Sequence, residues 1–289
     1  MERYLALQKV LATGGFTKAA KAMGYSQSSI SQMIASLENQ LGLRLLTRSK
    51  YGVHLTAEGR RIYPDIQRFL ESYQVVLHKA ADINGLNEEI IRIGTFSSIT
   101  CHWMPQLIRG FQKHYPNVHF LFQQGDYSLI PEWIRSGKID CGIITPKVAG
   151  ELQYDLIGSG KMLAIVPKGH PLAQETAIPL AELVKEPFLE VEEGNYSEPM
   201  EAFAKAGLTP KVKYRLHDDY AIMTMVEAGL GVSILAELVL NRTNFQIASR
   251  PTDPPIQRTL AIGYKNKDSL PLACRRFIGY LLDHKDKLP

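Results

Sequence analysis

The sequence predicts an α/β multidomain protein: a small helical N-terminal unit with a basic hairpin, one long helix, and a C-terminal region of two α/β halves. Three observations predict it. Two short apolar-faced segments near the N-terminus are separated by Gly24 and closed by Gly42. A heptad-spaced apolar series follows over residues 62–83. From Ile90 onward, strand-like and helix-like segments alternate.

The first helix carries Leu7, Val10 and Leu11 on one face and stops near Gly14-Gly15. Thr17 is the expected N-cap of the second, with Ala19, Ala20 and Met23 inward. Gly24 suits a left-handed C′ position, and Ser26 suits the cap of a third helix. That helix buries Ile30, Ile34, Leu37 and Leu41, so its other face shows Gln27, Ser28, Ser31 and Gln32. Two helices joined by a tight glycine-containing turn form a helix-turn-helix.

An uncharged leading end has a chemical meaning here. A recognition helix meets base edges with its first turns; Gln pairs bidentately with adenine, and Ser donates or accepts. Cations serve phosphates, which position a protein without specifying sequence. They follow in RLLTRSKYGVHLT, as Arg44, Arg48 and Lys50 with His54 on the return. Strands around Lys50-Tyr51-Gly52 are expected to form a wing. The bland alternative is an ordinary surface helix with a polar face. Charge favours the nucleic-acid reading: residues 1–68 hold ten Lys/Arg against four Asp/Glu, and the remainder 23 against 25. The expected DNA contacts are Thr17, Ser26, Gln27, Ser28, Ser31, Gln32, Arg48, Lys50 and His54.

The long helix places Ile62, Ile66, Phe69, Tyr73, Val76, Ala80 and Ile83 at 4-3-4-3-4-3 spacing, with Leu70 and Leu77 widening the seam. Pro64 is expected in its first turn, where a missing N–H is tolerated. Pairing with a second copy would bring two recognition helices to two half-sites; packing on its own domain is the alternative. Asn84 to Asn87 should end the helix.

Beyond it, IIRIGTF reads as a buried strand, the SSITCHWMPQLIRGFQKHYP run as one helix, and the chain continues in short β and α segments to LPLACRRFIGYLLD. A mostly parallel sheet with helices on both faces is implied, in two halves that enclose a hinged cleft for a small ligand.

Several classes are disfavoured. Cys101, Cys141 and Cys274 form no CxxC pair, and the sequence holds no HExxH, GxxxxGK[ST] or GxSxG. No enzyme activity, metal or cofactor is therefore expected. No apolar run is long enough to span a bilayer, and the N-terminal residues lack a signal-peptide apolar region, so a cytoplasmic location is expected.

The run LATGGFTKAAKAMGYSQSSISQMIASLENQLGLRLLTRSKYGVHLTAEG resembles the LysR-type transcriptional regulators. The likeness extends through TFSSI, YPNV, PKGHPLA and VEAGLGVSIL over essentially the whole chain. It implies a winged helix-turn-helix over residues 1–58 and a dimerising linker helix over 59–87. It further implies a periplasmic-binding-protein-like effector domain, with subdomain I at 90–160 plus 266–289 and subdomain II at 161–265. The expected partners are double-stranded promoter DNA, a small-molecule effector, and further copies of the chain as a homodimer assembling to a homotetramer. Two positions depart from the family pattern. Ala35 stands where the recognition helix usually has a basic residue, and Leu46 where Phe is common. The first shifts phosphate binding toward Arg48 and Lys50.

The effector site is expected around Thr95, Ser97, Ser98, Ile99 and Cys101, with Thr145 and Pro146 from the same subdomain and Leu189 and Glu190 from the other. For Ser97 the structural alternative is simple helix capping. The exposed N–H groups at the start of the Ser97 helix make an anion-accepting spot, and acids on the cleft side of the second half, Glu190, Glu192, Glu193, Asp218 and Asp219, suggest a ligand with an amine or hydroxyls opposite its acidic end; the alternative is a solvated acidic rim with Asp219 as N-cap. Cys101 offers a redox-sensing alternative, and a solute-binding module or an enzyme on the same cleft are the remaining ones.

Overall fold

A computed structural model of the chain describes residues 1–49, 52–83, 89–241 and 243–288. At 48, 49, 71, 74, 75, 78, 79, 81–83 and 89 the backbone alone is described. The chain divides into two compact units, Met1–Ala81 and Asp82–Pro289.

The first unit runs α1 (Glu2–Thr13), α2 (Phe16–Met23), α3 (Gln27–Leu41), β1 (Leu46–Ser49), β2 (Gly52–Leu55) and α4, which spans Ala57–Ile83. Leu7, Val10, Ala19, Ala20, Ile30, Ile34 and Leu37 meet in one core, as the apolar spacing requires. Gly24 and Gly42 both close their helices with φ near +70°, in the region where a Cβ is disfavoured. The cap of α2 differs from expectation. Gly15 holds that position, and Thr17 lies exposed inside the first turn, because Phe16 is already drawn into the core. β1 and β2 pair antiparallel, Leu46 opposite Leu55 and Ser49 opposite Gly52. Lys50 and Tyr51, between them, lie outside the described residues.

The long helix starts earlier than predicted. Thr56 Oγ1 accepts the N–H of Gly59 at 2.9 Å and donates to the Arg44 carbonyl at 2.6 Å. Pro64 therefore sits two turns into α4 instead of in its first turn. The heptad seam also divides. Ile66 and Leu70 are buried in the core of the first unit, and Ile62 packs against it. This corrects the dimerisation role expected of Ile62 and Ile66: the stripe is covered by its own domain there. Phe69 is half-covered, edge-on to Tyr4 at 5.1 Å. Val76, Leu77 and Ala80 remain exposed, and Tyr73 is intermediate. The side chain of Ile83 and the expected helix end at Asn84 to Asn87 lie outside the described residues.

The second unit runs β3 (Glu89–Thr95), α5 (Ser97–His102), α6 (Met104–Phe111), β4 (Val118–Gln124), α7 (Leu129–Arg135), β5 (Cys141–Ile144), β6 (Gln153–Pro167), β7 (Ile178–Pro179), α8 (Leu180–Leu183), β8 (Pro187–Val191), α9 (Glu198–Lys205), β9 (Lys211–Leu216), α10 (Asp219–Glu227), β10 (Ser233–Ala236), α11 (Glu237–Leu240), β11 (Ile247–Tyr264) and α12 (Leu272–His284). The single helix expected after β3 is two, broken at Trp103, where Pro105 opens α6.

β3 pairs parallel with β4 and β5, and β8 with β9, as strand–helix alternation predicts. The larger sheet is nonetheless mixed. β6 and β11 are long antiparallel strands that run through both halves and join them, with β5 and β10 antiparallel beside them. One core gathers α5, α6, α7 and α12 about β3 and β5; two others lie under β8, β10 and α10.

Candidate nucleic-acid interface and ligand cleft

Ser26 has extended backbone and its Oγ accepts the N–H of Ser29 at 3.1 Å, which fixes where α3 begins. The Ser28 and Ser29 hydroxyls lie 2.8 Å from the same atom. One turn on, Gln27 Nε2 donates to Ser31 Oγ at 3.1 Å, so its amide lies along the helix rather than across it. Gln27, Ser28, Gln32 and Ala35 are exposed and Ser31 is intermediate. The leading face of α3 thus presents amides and hydroxyls without a charge.

The wing is anchored from two sides. Glu38 Oε1 accepts the N–H groups of Leu45 and Leu46 at 2.7 and 3.1 Å, a role the sequence reading does not assign. On the return, the Val53 N–H reaches the Gly14 carbonyl at 3.4 Å. Gly52, at φ +115°, lies so close that a Cβ there would stand 3.2 Å from that same oxygen. His54 is exposed, opposite Thr47. Lys50 and the Arg48 side chain lie outside the described residues.

The second unit carries a polar cluster between its two halves. Its centre is Arg258 on β11, 4% exposed. Arg258 Nε donates to the Tyr127 hydroxyl at 2.7 Å, and Nη2 to Glu193 Oε1 at 3.4 Å. Its guanidinium also covers the Phe96 ring, 4.6 Å from the centroid. Tyr127 in turn donates to Glu198 Oε1 at 2.8 Å. Further bonds cross from the Asp126–Ser128 loop: Tyr127 N–H to the Glu193 carbonyl at 2.9 Å, and Asn195 N–H to Ser128 Oγ at 2.8 Å. The Ser97 hydroxyl on α5 favours the charged form of the Asp219 carboxyl at the start of α10.

Burial sets the protonation of this cluster. It pushes Asp219 up to about 6, with the Glu193 charge adding to the rise and Arg258 opposing it. Burial likewise raises Glu193, where Arg258 pulls back and Asp126 adds to the rise. Glu198 is raised by burial and then by Glu193. Burial drives Tyr127 well above its ordinary value. Burial disfavours charge on Arg258, but Tyr127, Glu193 and Glu198 outweigh it and hold it protonated.

A cavity of about 340 Å³ lies against this cluster, with Ser97, Ser98, Asp126, Glu193, Asp219 and Arg258 in its wall. Of the effector residues expected from sequence, Ser97 and Ser98 line it. Glu190 lines a smaller hollow and is held by Arg215 Nε at 2.8 Å. Leu189 is a correction. Its side chain is fully buried among Ile165, Ile222 and Leu235, so it has no surface for a ligand. Ile99 is buried in the same way in the other half. Thr95 is enclosed, bonded to the Phe96 carbonyl and the Thr100 hydroxyl. Thr145 is 2% exposed, and neither it nor the half-buried Pro146 reaches the cavity. Cys101 is exposed, whereas Cys141 and Cys274 are in the core. Asp218, not Asp219, caps α10, accepting Tyr220 N–H at 2.8 Å.

Arg258, Tyr127, Asp126 and Glu198 escape the sequence reading. A signal for Arg258 exists: Ile256, Arg258, Leu260 and Ile262 share one face at period two, and a cation among inward apolar residues marks a buried polar site.

A capped helix with an uncharged reading face, a basic wing, and a separate two-lobed α/β unit with a polar cleft define a DNA-binding regulator with a ligand-binding domain. Residues 1–60 match the bacterial regulatory helix-turn-helix protein, lysR family, and residues 84–286 the LysR substrate binding domain. The chain belongs to the LysR family of transcriptional regulators. It is 31% identical, over 93% of either sequence, to the uncharacterized HTH-type transcriptional regulator YvbU of Bacillus subtilis. Full-length OxyR from Pseudomonas aeruginosa, solved as a cysteine-to-aspartate variant, shares the fold at TM-score 0.73 and 23% identity, covering 100% of this chain and 98% of that one. The effector binding domain of QuiR, solved with shikimate, aligns at TM-score 0.62 and 18% identity over 69% of this chain and 98% of its own. Among the described residues no helix is long and apolar enough to cross a membrane.

Proposed function

We propose that this regulator acts in the cytoplasm, reads promoter DNA through the leading turns of α3, and pairs through the exposed half of α4. Gln27, Ser28, Ser31 and Gln32 contact base edges; Thr17, Ser26, Arg48, Lys50 and His54 contact the backbone. The observation that carries this reading is the exposed, uncharged face that begins at the Ser26 cap. Homodimers, seamed by Phe69, Tyr73, Val76, Ala80 and Ile83, assemble into homotetramers. They set two α3 helices against successive turns of a duplex.

The effector occupies the cavity beside Ser97, Ser98 and Asp219. It acts by binding two arrangements of the halves unequally; a few kcal/mol of difference changes occupancy of the DNA site. The bonds that join the halves here, Asn195 to Ser128 and Tyr127 to the Glu193 carbonyl, are the contacts such a ligand exchanges. Gel shift of the full chain with DNA upstream of its own gene tests the reading. A specific complex at moderate salt is expected; equal binding to unrelated DNA of the same length contradicts it. Arg48→Ala should weaken cognate and random DNA alike and flatten the salt dependence by about one phosphate contact.

A further inference from the structure

In the first unit α3, the wing and α4 meet at one short piece of backbone, Arg44 to Leu46. α3 reaches it through Glu38, whose Oε1 accepts the N–H groups of Leu45 and Leu46 at 2.7 and 3.1 Å. α4 reaches it from the other side. Thr56 donates its hydroxyl to the Arg44 carbonyl at 2.6 Å and its N–H to the Leu45 carbonyl at 2.9 Å. The same hydroxyl accepts the Gly59 N–H at 2.9 Å and so starts α4. Gly59 is buried at this point, and a Cβ on it would overlap the Leu45 carbonyl oxygen. Arg60, in the same turn of α4, donates Nη1 to the Leu55 carbonyl at 2.9 Å, where β2 ends.

Leu45 lies just before the ladder of β1 and β2, which begins at Leu46 opposite Leu55. Its N–H and carbonyl are met from α3 and α4 instead. Direction is what such bonds add. α3 also shares an apolar core with Ile66 and Leu70 of α4. Apolar contact is non-directional and permits small sliding of packed helices. A hydrogen bond weakens steeply as its angle departs from linear. Two N–H groups on one carboxyl oxygen therefore fix the Leu45–Leu46 peptide against α3, and Thr56 fixes the same backbone against α4. Glu38 stands toward the end of α3 far from Ser26, so it holds the helix without belonging to the leading turns.

We propose that Glu38 is a positioning residue: through the Leu45 backbone it ties α3 to the wing and to α4, and so sets the half-site spacing that paired chains accept. This rests on α3 reading DNA and α4 pairing the chains. In a two-fold pair, the separation of the reading helices follows from the angle each makes with α4, and half-site spacing mirrors that separation. One base pair added between half-sites moves them apart by about 3.4 Å and turns one against the other by about a tenth of a turn. A stiff joint rejects that change, and a loosened joint follows it.

Binding of the full-length protein to the site upstream of its gene, and to the same site lengthened by one base pair at its centre, tests this. The unaltered protein should prefer the natural spacing by about tenfold. Glu38→Ala should weaken binding to the natural site and cut that preference by about threefold or more. Glu38→Gln keeps a carbonyl oxygen for the two N–H groups and should restore most of the preference. Thr56→Val cuts the joint from the side of α4, should act like Glu38→Ala, and carries the comparison where Glu38→Ala does not fold. Amide exchange of the free protein reads the joint without DNA: in Glu38→Ala it should quicken about tenfold at Leu45, Leu46 and through β1 and β2, with α1 and α2 unchanged.

A residue that only stabilises the fold would lower both affinities together and quicken exchange across the whole unit. An unchanged spacing ratio in both Glu38→Ala and Thr56→Val, or exchange that is uniform or unmoved, overturns the inference. A specific complex whose affinity ignores spacing in the unaltered protein also overturns it, and leaves base reading by α3 intact. Loss of preference for the upstream sequence itself overturns that reading, and the inference with it.

Discussion

Asp219 is ionised at neutral pH only at a cost, because burial and the neighbouring Glu193 hold its carboxyl at about 6 against 3.8 in the unfolded chain. A raised carboxyl favours the folded state while it keeps its proton. That stability is fully present below pH 4, is lost as pH rises through 6, and amounts to about 3 kcal/mol for this shift. Asp219→Asn should therefore stabilise the second unit at pH 7.5 by about 1–3 kcal/mol, with the advantage vanishing near pH 4. Thermal denaturation at both pH values reads it; an equal effect at pH 4 and 7.5 contradicts the assignment. Residues of this kind are the least legible from sequence. Ser26 is readable because a cap is a local event, decided by the four residues that follow it. The Arg258–Tyr127–Glu198 chain joins positions 258, 127 and 198, and no local pattern reports that meeting. Leu189 is misplaced for a different reason: its neighbour Glu190 is only partly buried, but β8 is covered on both sides, with Phe188 in one core and Leu189 in the other.

At the scale of elements, spacing predicts α3 and the β/α alternation well, since apolar periodicity is read directly by burial. It misjudges where elements stop. Pro105 splits one expected helix into α5 and α6, and the Thr56 cap starts α4 before Pro64. The heptad in α4 is one continuous pattern in sequence, but the domain's own core covers only its first part. Ile66 belongs to the first unit's core and Val76, 61% exposed, does not. The two positions should answer differently. Ile66→Ala should cost about 2–5 kcal/mol of stability in the N-terminal unit. Val76→Glu should leave that unit folded and instead shift the protein toward monomer, as seen by sedimentation. A monomer–oligomer balance unmoved by Val76→Glu would place the pairing surface elsewhere.

At the scale of the whole molecule, charge and chemistry are partitioned between the two units. The excess of Lys/Arg lies within residues 1–68, while the remainder is slightly acidic and its cleft holds more carboxyls than cations. Such a division lets one end bind a polyanion while the other selects a small ligand without competing for the same charges. In the proposed reading both functions use polar side chains near helix starts: Gln27 on α3 and Asp219 on α10.

The most direct test of the DNA-reading claim is the affinity of Gln27→Ala for the gene's own upstream site and for random DNA, measured at one fixed salt concentration. A loss of about 1–3 kcal/mol on the upstream site, with little change on random DNA, is the predicted result. Equal losses on both would show that this side chain meets phosphates and that α3 does not read sequence through its leading turns.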